Sequence, residues 1–202
     1  FVSDHERQTY FTKVGKPLCK TELIYNGLNA AEFEPVAVEP GAADFLYLGM
    51  MRSLKGPDIF LDALAEASNK IEHPLSAVMV GDGDKREDLI ERAAQLGVST
   101  QVRFEMPMPA REAFALGRIV VAPSRAEAMP YAVLEAVGAG KTLLATRVGG
   151  IPEILGASSP ALMDPNAVSV AAAMKAAVEN PDLFAKAMPS IDDLRSRFSS
   201  QA

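Results

Sequence analysis

The chain has 202 residues, with 49% hydrophobic and 23% charged residues and a formal net charge of −6. That is ordinary globular composition, not disorder, and the acidic balance argues against a nucleic-acid partner, whose backbone demands a basic face. One cysteine, Cys19, excludes an internal disulfide and fits a reducing compartment; no metal-ligand spacing or partner histidine lies near it, so it reads as a small buried or half-buried thiol. No apolar run approaches the ~20 residues that cross a bilayer. The chain starts at Phe1 without a methionine or a basic-then-apolar leader, and reads as an internal piece of a longer polypeptide.

Taken in chain order, "FVSDHERQTYFTKVGK" suggests a strand end and a short helix. "YNGLNAAEFEPVAVEPGAAD" lacks periodicity and reads as a linker or ordered loop. From about Phe45 short apolar runs alternate with longer amphipathic ones. Strands are predicted over 45–49, 76–81, 101–105, 118–123 and 142–147, with a weak one over 160–163. The run from Pro57 to Ile71 is helical. A second helix from about Asp84 stops at Gly97, a favourable residue just past a helix. The C-terminal region reads as two or three surface helices punctuated by Pro181 and Pro189. Near-continuous apolar strands joined by crossover helices predict a doubly wound, Rossmann-like α/β fold: about six parallel strands with helices on both faces.

Ligands of such sheets bind outside the carboxyl ends of the strands, where four loops stand out. "GMMRSLKGPD" offers Arg52 and Lys55 between Gly49 and Gly56, two cations beside permissive backbone that suit a phosphate or diphosphate, or else a solvated turn. "VGDGDK" is a tight glycine turn at Gly81, without the third spaced glycine of a dinucleotide fingerprint. "VGGIPEI" opens a short helix with Pro152 near its start, and Glu153 there fits a first-turn acid favoured by the helix dipole.

The remaining loop, "PSRAEAMPYAVLEAVGAGK", carries Glu127 and Glu135 eight residues apart, the second among apolar neighbours. A carboxylate is rarely buried unless something pairs with it. With Pro130 opening a helix, Glu135 falls about one and a half turns in at ~3.6 residues per turn. It is then expected to reach toward the cleft that Glu127 lines from the loop. Two such acids accept hydrogen bonds from vicinal hydroxyls. Between them, the backbone N–H groups around Met129, Pro130, Tyr131 and Ala132 form a helix N-terminus suited to an anion. Hydroxyl acceptors flanking an anion site describe a nucleotide sugar better than a bare nucleotide.

The stretch "PSRAEAMPYAVLEAVGAGKTLLATRVGGIPEI" resembles the E-x(7)-E region of the retaining glycosyltransferases of family 4, which have the GT-B fold. "LYLGMMRSLKGPDIFLDAL" is similar to that family's first strand and Lys-Gly loop. "AVMVGDGDKREDLIERAAQLGVSTQVRFE" and "LIYNGLNAAEF" also resemble its segments, so the likeness covers roughly residues 20–165. The wording "RAEAMPYAVLEA" leans toward bacterial exopolysaccharide or lipopolysaccharide enzymes. The resemblance implies that residues 1–40 are the tail of a first domain with its linker, and that 41–202 form the domain that binds the nucleotide-sugar donor. It implies that Glu127 accepts from the donor sugar, Glu135 holds the ribose, and Lys55 and Arg52 neutralise the departing diphosphate with the N–H groups near 129–132. Backbone near 81–83 and 105–107 would meet the base. No metal or other cofactor is implied, only a UDP- or GDP-linked sugar as substrate. The acceptor is a glycan or lipid-linked molecule, read largely by the first domain, and the setting is cytoplasmic, at the inner face of the membrane.

Three departures accompany the likeness. Met50 stands where the family often has arginine; "EAMP" replaces the usual "EGFG", with Pro130 removing a donor N–H; and the helix that crosses back to the first domain is truncated after Phe198. A nucleotide-sugar epimerase of the same fold and a non-catalytic nucleotide-binding module remain as alternatives. The chain by itself is expected to bind donor without transferring sugar.

Overall fold

In a computed structural model, which describes residues 1–72 and 74–200, the alternating pattern becomes one six-stranded sheet. The strands are β1 (Ala43–Leu48), β2 (Ala77–Val80), β3 (Val102–Glu105), β4 (Gly117–Ala122), β5 (Thr142–Thr146) and β6 (Leu162–Met163). Every pairing is parallel, in the order β3-β2-β1-β4-β5-β6. Parallel strands need crossovers, and these come from α2 (Pro57–Ser68), α3 (Arg86–Gln95), α4 (Ala110–Ala115), α5 (Tyr131–Gly138) and α6 (Ile151–Leu155). The chain steps outward through β2 and β3, then returns to lay β4 on the free edge of β1. Right-handed crossovers therefore put α2 and α3 on one face and α4 and α5 on the other. α7 (Ala167–Glu179) packs against α2, closing the first face.

Local chemistry explains the ends. Pro57 sits in the first turn of α2 and Pro152 in that of α6, where a missing N–H costs nothing. Leu96 ends α3 and Gly97 follows with φ of +74°, the left-handed stop its position predicts. The C-terminal helices α7, α8 (Pro181–Lys186) and α9 (Ile191–Phe198) break at Pro181 and before Ser190, whose hydroxyl caps α9. Strand boundaries differ from the sequence expectation by one or two residues. Gly49 lies in the turn after β1, not in the strand, and the weak last strand shrinks to β6.

Against the expected strand end, the first 40 residues contain no strand, only α1 (Asp4–Lys13) and a 3₁₀ turn at Ala30–Phe33, and Cys19, in the irregular stretch after α1, is exposed rather than buried. Ser3 caps α1 by accepting from the Glu6 N–H at 3.1 Å, while Glu6 accepts from the Val2 N–H at 3.0 Å. Leu28 and Phe33 are 1% and 2% exposed and join the central core, so the packing runs through the expected boundary at residue 41. α9 ends at Phe198 and its exit pairs back on this segment: Leu28 N–H donates to Phe198 O at 2.6 Å, and the Phe198 ring meets Tyr25 edge-on. No helix among the described residues is long and apolar enough to cross a membrane.

Candidate active site

The strand order reverses between β1 and β4, and the crevice beyond their carboxyl ends is where an open parallel sheet takes its ligand. After β1 the chain turns through Ser53–Lys55 into Gly56, whose φ of +65° belongs to glycine. A Cβ at Gly56 would stand 2.1 Å from the carbonyl oxygen of Pro123, in the turn after β4. The two turns are thus pressed backbone to backbone. Arg125 laces them further: its N–H donates to Leu54 O at 2.9 Å, and its guanidinium grips Ser53 O and both oxygens of Asp58.

This contact delivers Lys55 to Glu127. The amine donates to both carboxylate oxygens, at 2.7 and 2.8 Å, and the Ser124 hydroxyl donates to the first at 2.7 Å. Ser124 is fixed in turn by Thr146, whose hydroxyl donates to its carbonyl at 2.5 Å. Glu127 is only 10% exposed at its side chain, and Lys55 24%, so the pair is sheltered from screening solvent. An ammonium carries three donors; with two on Glu127, one is left for a further anion.

The pair forms one wall of a cleft of about 360 Å³, a size that suits a small-molecule site. Gly49 and Tyr47 form the β1 side; Met129, Pro130, Tyr131 and Ala132 form the side of α5. A Cβ on Gly49 would meet only the Tyr47 hydroxyl oxygen at 3.6 Å and the ring carbon that bears it at 3.9 Å, so the absent side chain leaves the floor open. The Tyr47 hydroxyl donates to Met50 O at 2.9 Å and pins the Gly49–Met50 turn. Burial, with Glu127 and Asp58 adding, pushes the Tyr47 phenol far above its usual range and keeps it a neutral donor. α5 begins at Tyr131 after Pro130, and the first N–H groups of a helix have no intrahelical acceptor. Its mouth is held by Asn26, whose amide donates to Met129 O at 2.7 Å, and by Gly150, whose N–H donates to Ala128 O at 2.7 Å.

The cleft therefore unites Lys55, Glu127, Gly49, Met129, Pro130, Tyr131 and Ala132. It does not include Arg52, Gly81 or Glu135. Arg52 stands exposed at the start of the 3₁₀ turn and makes no side-chain hydrogen bond or ion pair among the described residues. Gly81 serves packing: at φ of +150°, its Cβ would lie 2.0 Å from Gly49 O, so the turns after β1 and β2 touch there.

Glu135 corrects the expectation of a single shared cleft. It lines a separate hollow of about 160 Å³ with Glu32, Pro109, Ala110, Arg111 and Phe114. It lies four residues beyond Tyr131, on the same stripe of α5 but one turn deeper, where the helix packs on α4 and on the Ala30–Phe33 turn. Burial raises its carboxyl pKa and the Glu32 charge adds to that; no donor reaches it among the described residues. Glu153, by contrast, is structural. It accepts from the Asp4 and His5 N–H groups at 2.9 Å each and from the Tyr25 hydroxyl at 3.1 Å, holding the start of α1.

Sequence reasoning missed Tyr47, Ser124 and Asn26. The Ser-x-x-Glu spacing of Ser124 and Glu127 was a usable signal for the second. Tyr47 looks like any strand aromatic, and nothing local marks Asn26.

The structure is thus a doubly wound α/β domain with a cation–carboxylate pair and a helix N-terminus lining the cleft at its switch point. Residues 42–194 match the glycosyl transferases group 1 family, and the chain belongs to it. A phosphatidylinositol N-acetylglucosaminyltransferase component from Arabidopsis thaliana is 27% identical over 183 residues, covering 88% of this chain and 40% of that protein. The crystal structure of Anabaena HepE in complex with UDP has a TM-score of 0.79 at 21% identity, over 95% of this chain and 57% of that one. The C-terminal domain of a glycosyl transferase group 1 family protein, LpcC of Francisella tularensis, has a TM-score of 0.70 at 21% identity, over 84% of this chain and 97% of that one. The chain spans less than half the length of the curated relatives it matches.

Proposed function

We propose that this chain is the donor-binding half of a retaining glycosyltransferase that moves a sugar from UDP or GDP to a hydroxyl of a glycan or lipid-linked acceptor. The observation that carries this role is the Lys55–Glu127 pair, set in the switch-point cleft beside the start of α5. Hydroxyls of the donor sugar donate to Glu127, whose charge Lys55 already balances. The remaining Lys55 N–H and the free N–H groups of Tyr131, Ala132 and Val133 face the diphosphate. As the glycosidic bond breaks, negative charge grows on the leaving diphosphate, and donors fixed in advance stabilise it without reorganisation. Attack by the acceptor on the face the diphosphate leaves requires no protein nucleophile.

Glu135 takes the ribose. Its carboxyl lies one turn along α5 from the cleft mouth and lacks donors, which the two ribose hydroxyls would supply. The fold shared with the UDP-bound HepE structure supports a uridine nucleotide. Arg52, exposed and without an ion-pair partner among the described residues, adds long-range attraction for the diphosphate rather than direct contact. In the whole protein this half works at the inner face of the membrane in a bacterial polysaccharide pathway.

Calorimetric titration of UDP, GDP, ADP and their sugars tests this role. Lys55→Ala and Glu135→Ala should each weaken the favoured nucleotide sugar by about 1.5–3 kcal/mol, the usual worth of a charged hydrogen bond. Equal affinity in wild type and both variants sinks the assignment. The chain alone should leave the bound sugar intact when an acceptor is added; isomerisation of free donor would instead make it an epimerase.

A further inference from the structure

The strip from Glu127 to Pro130 carries the acid of the cleft at one end and the start of α5 at the other, and its successive carbonyls are each met from outside. The turn after β5 forms a backbone partition against the first two. A Cβ on Gly149, at φ of +56°, would stand 1.8 Å from Glu127 O, and Gly150 N–H donates to Ala128 O at 2.7 Å. The third carbonyl, that of Met129, accepts from the Asn26 side-chain amide at 2.7 Å, in a partly buried contact that spans 103 residues of chain.

That contact matters because α5 has no cap of its own. Ser3, Asn166 and Ser190 each accept from a first-turn N–H of the helix they open, at α1, α7 and α9. At α5 the cap position is Pro130, which offers neither a side-chain acceptor nor an N–H, and no side-chain cap bond is made. The helix closes its first hydrogen bond only from Leu134 N–H to Pro130 O, at 3.2 Å. Tyr131, Ala132 and Val133 keep N–H groups without an intrahelical acceptor. Their direction follows from the Met129–Pro130 peptide, and because a peptide is planar, whatever holds its carbonyl sets its plane.

The strap that carries Asn26 is fixed without its amide. The Tyr25 ring meets Phe198 at 5.3 Å, and the Tyr25 hydroxyl donates to Glu153 at 3.1 Å. Leu28 N–H donates to Phe198 O, Ser200 N–H donates to Leu28 O at 2.9 Å, and the Leu28 side chain is buried. Asn26 is thus a donor delivered by a strap already held elsewhere, so the bond restrains the cleft mouth rather than the strap. We infer, building on the donor-binding role above, that Asn26 is a positioning residue for the donor. Through the Met129 carbonyl it aims the first N–H groups of α5 at the diphosphate.

The test titrates the 202-residue chain with UDP and GDP, and with uridine and guanosine as controls that lack the diphosphate, following amide shifts. The favoured diphosphate should move the Asn26 side-chain amide together with the backbone amides of Tyr131, Ala132 and Val133, and its nucleoside should not. Asn26→Ala should weaken the diphosphate about tenfold and leave the nucleoside unchanged, with a loss of Tm below about 4 °C. Asn26→Gln keeps an amide donor and should bind the diphosphate more tightly than Asn26→Ala. Asn26→Asp should bind it more weakly than Asn26→Ala, since it sets an acceptor against the carbonyl and a negative charge beside the anion. Asn26→Ala binding the diphosphate as wild type does, or losing nucleoside and diphosphate alike, would overturn the inference and leave the donor role standing. A wild-type chain that binds neither diphosphate would sink the donor role itself, and the inference with it.

Discussion

Two glutamates eight residues apart on one segment meet opposite environments. Glu127 sits in a loop locked on three sides, its charge met by an amine and a hydroxyl within 2.8 Å. Glu135 sits on a helix stripe facing another carboxylate, Glu32, with burial and repulsion both raising its pKa. The first acid is paired within the fold; the second has no hydrogen-bond donor among the described residues. Spacing of like residues therefore says little about likeness of role. What separates the two is which element presents each side chain and what packs against it.

The largest effect comes from breaking the partition that holds Glu127. Gly149→Ala forces a side chain at φ of +56° into the Glu127 carbonyl, so the turn must move. The expected loss is on the order of 3 kcal/mol, or roughly 6–12 °C in Tm for a chain of this size. Calorimetric melting measures it. A drop of under a degree would mean the turns after β4 and β5 are not locked.

Glu127→Gln sharpens the contrast at smaller cost. In the proposed role it removes the carboxylate that would accept from the sugar and leaves the Lys55 amine free for the diphosphate. The advantage of a UDP-sugar over UDP should shrink about tenfold, near 1.4 kcal/mol, while UDP itself binds as well or better. If instead both ligands weaken alike, Glu127 acts only by placing Lys55.

Glu135→Gln gives the smallest shift. Because the folded pKa is raised, the folded state holds its proton more firmly than the unfolded chain. The ionised group is therefore a burden that grows as pH rises from the ordinary carboxylate value through the raised one. Glutamine should raise stability at pH 7 by less than about 1 kcal/mol, since the site is partly solvated. The gain should fade as pH drops below about 4. Stability curves from pH 3 to 8 check the sign; a variant less stable at pH 7 would mean an unseen partner holds the carboxylate.

Much of this was open to inspection in the amino-acid order, because the signals were local. Apolar periodicity marks strands and helices over a few residues, and Gly97 and the proline at 57 act through their own φ and N–H. The chemistry of Lys55, Glu127 and the start of α5 was visible for the same reason: unusual residues beside glycine or proline at the ends of strands. Tyr47 and Asn26 were not visible, since a strand aromatic and a turn asparagine acquire meaning only from the carbonyls they reach.

The sequence by itself determined the elements and the kinds of groups at their ends. Only the tertiary structure decided which groups meet. Lys55 and Glu127 are 72 residues apart and pair because β4 returns to the edge of β1. Glu135 is parted from them because α5 turns that stripe toward α4 and the Ala30–Phe33 segment. Elements follow from short-range sterics and burial; meetings follow from strand order and from which face of a helix the packing hides, and no window of neighbouring residues contains either.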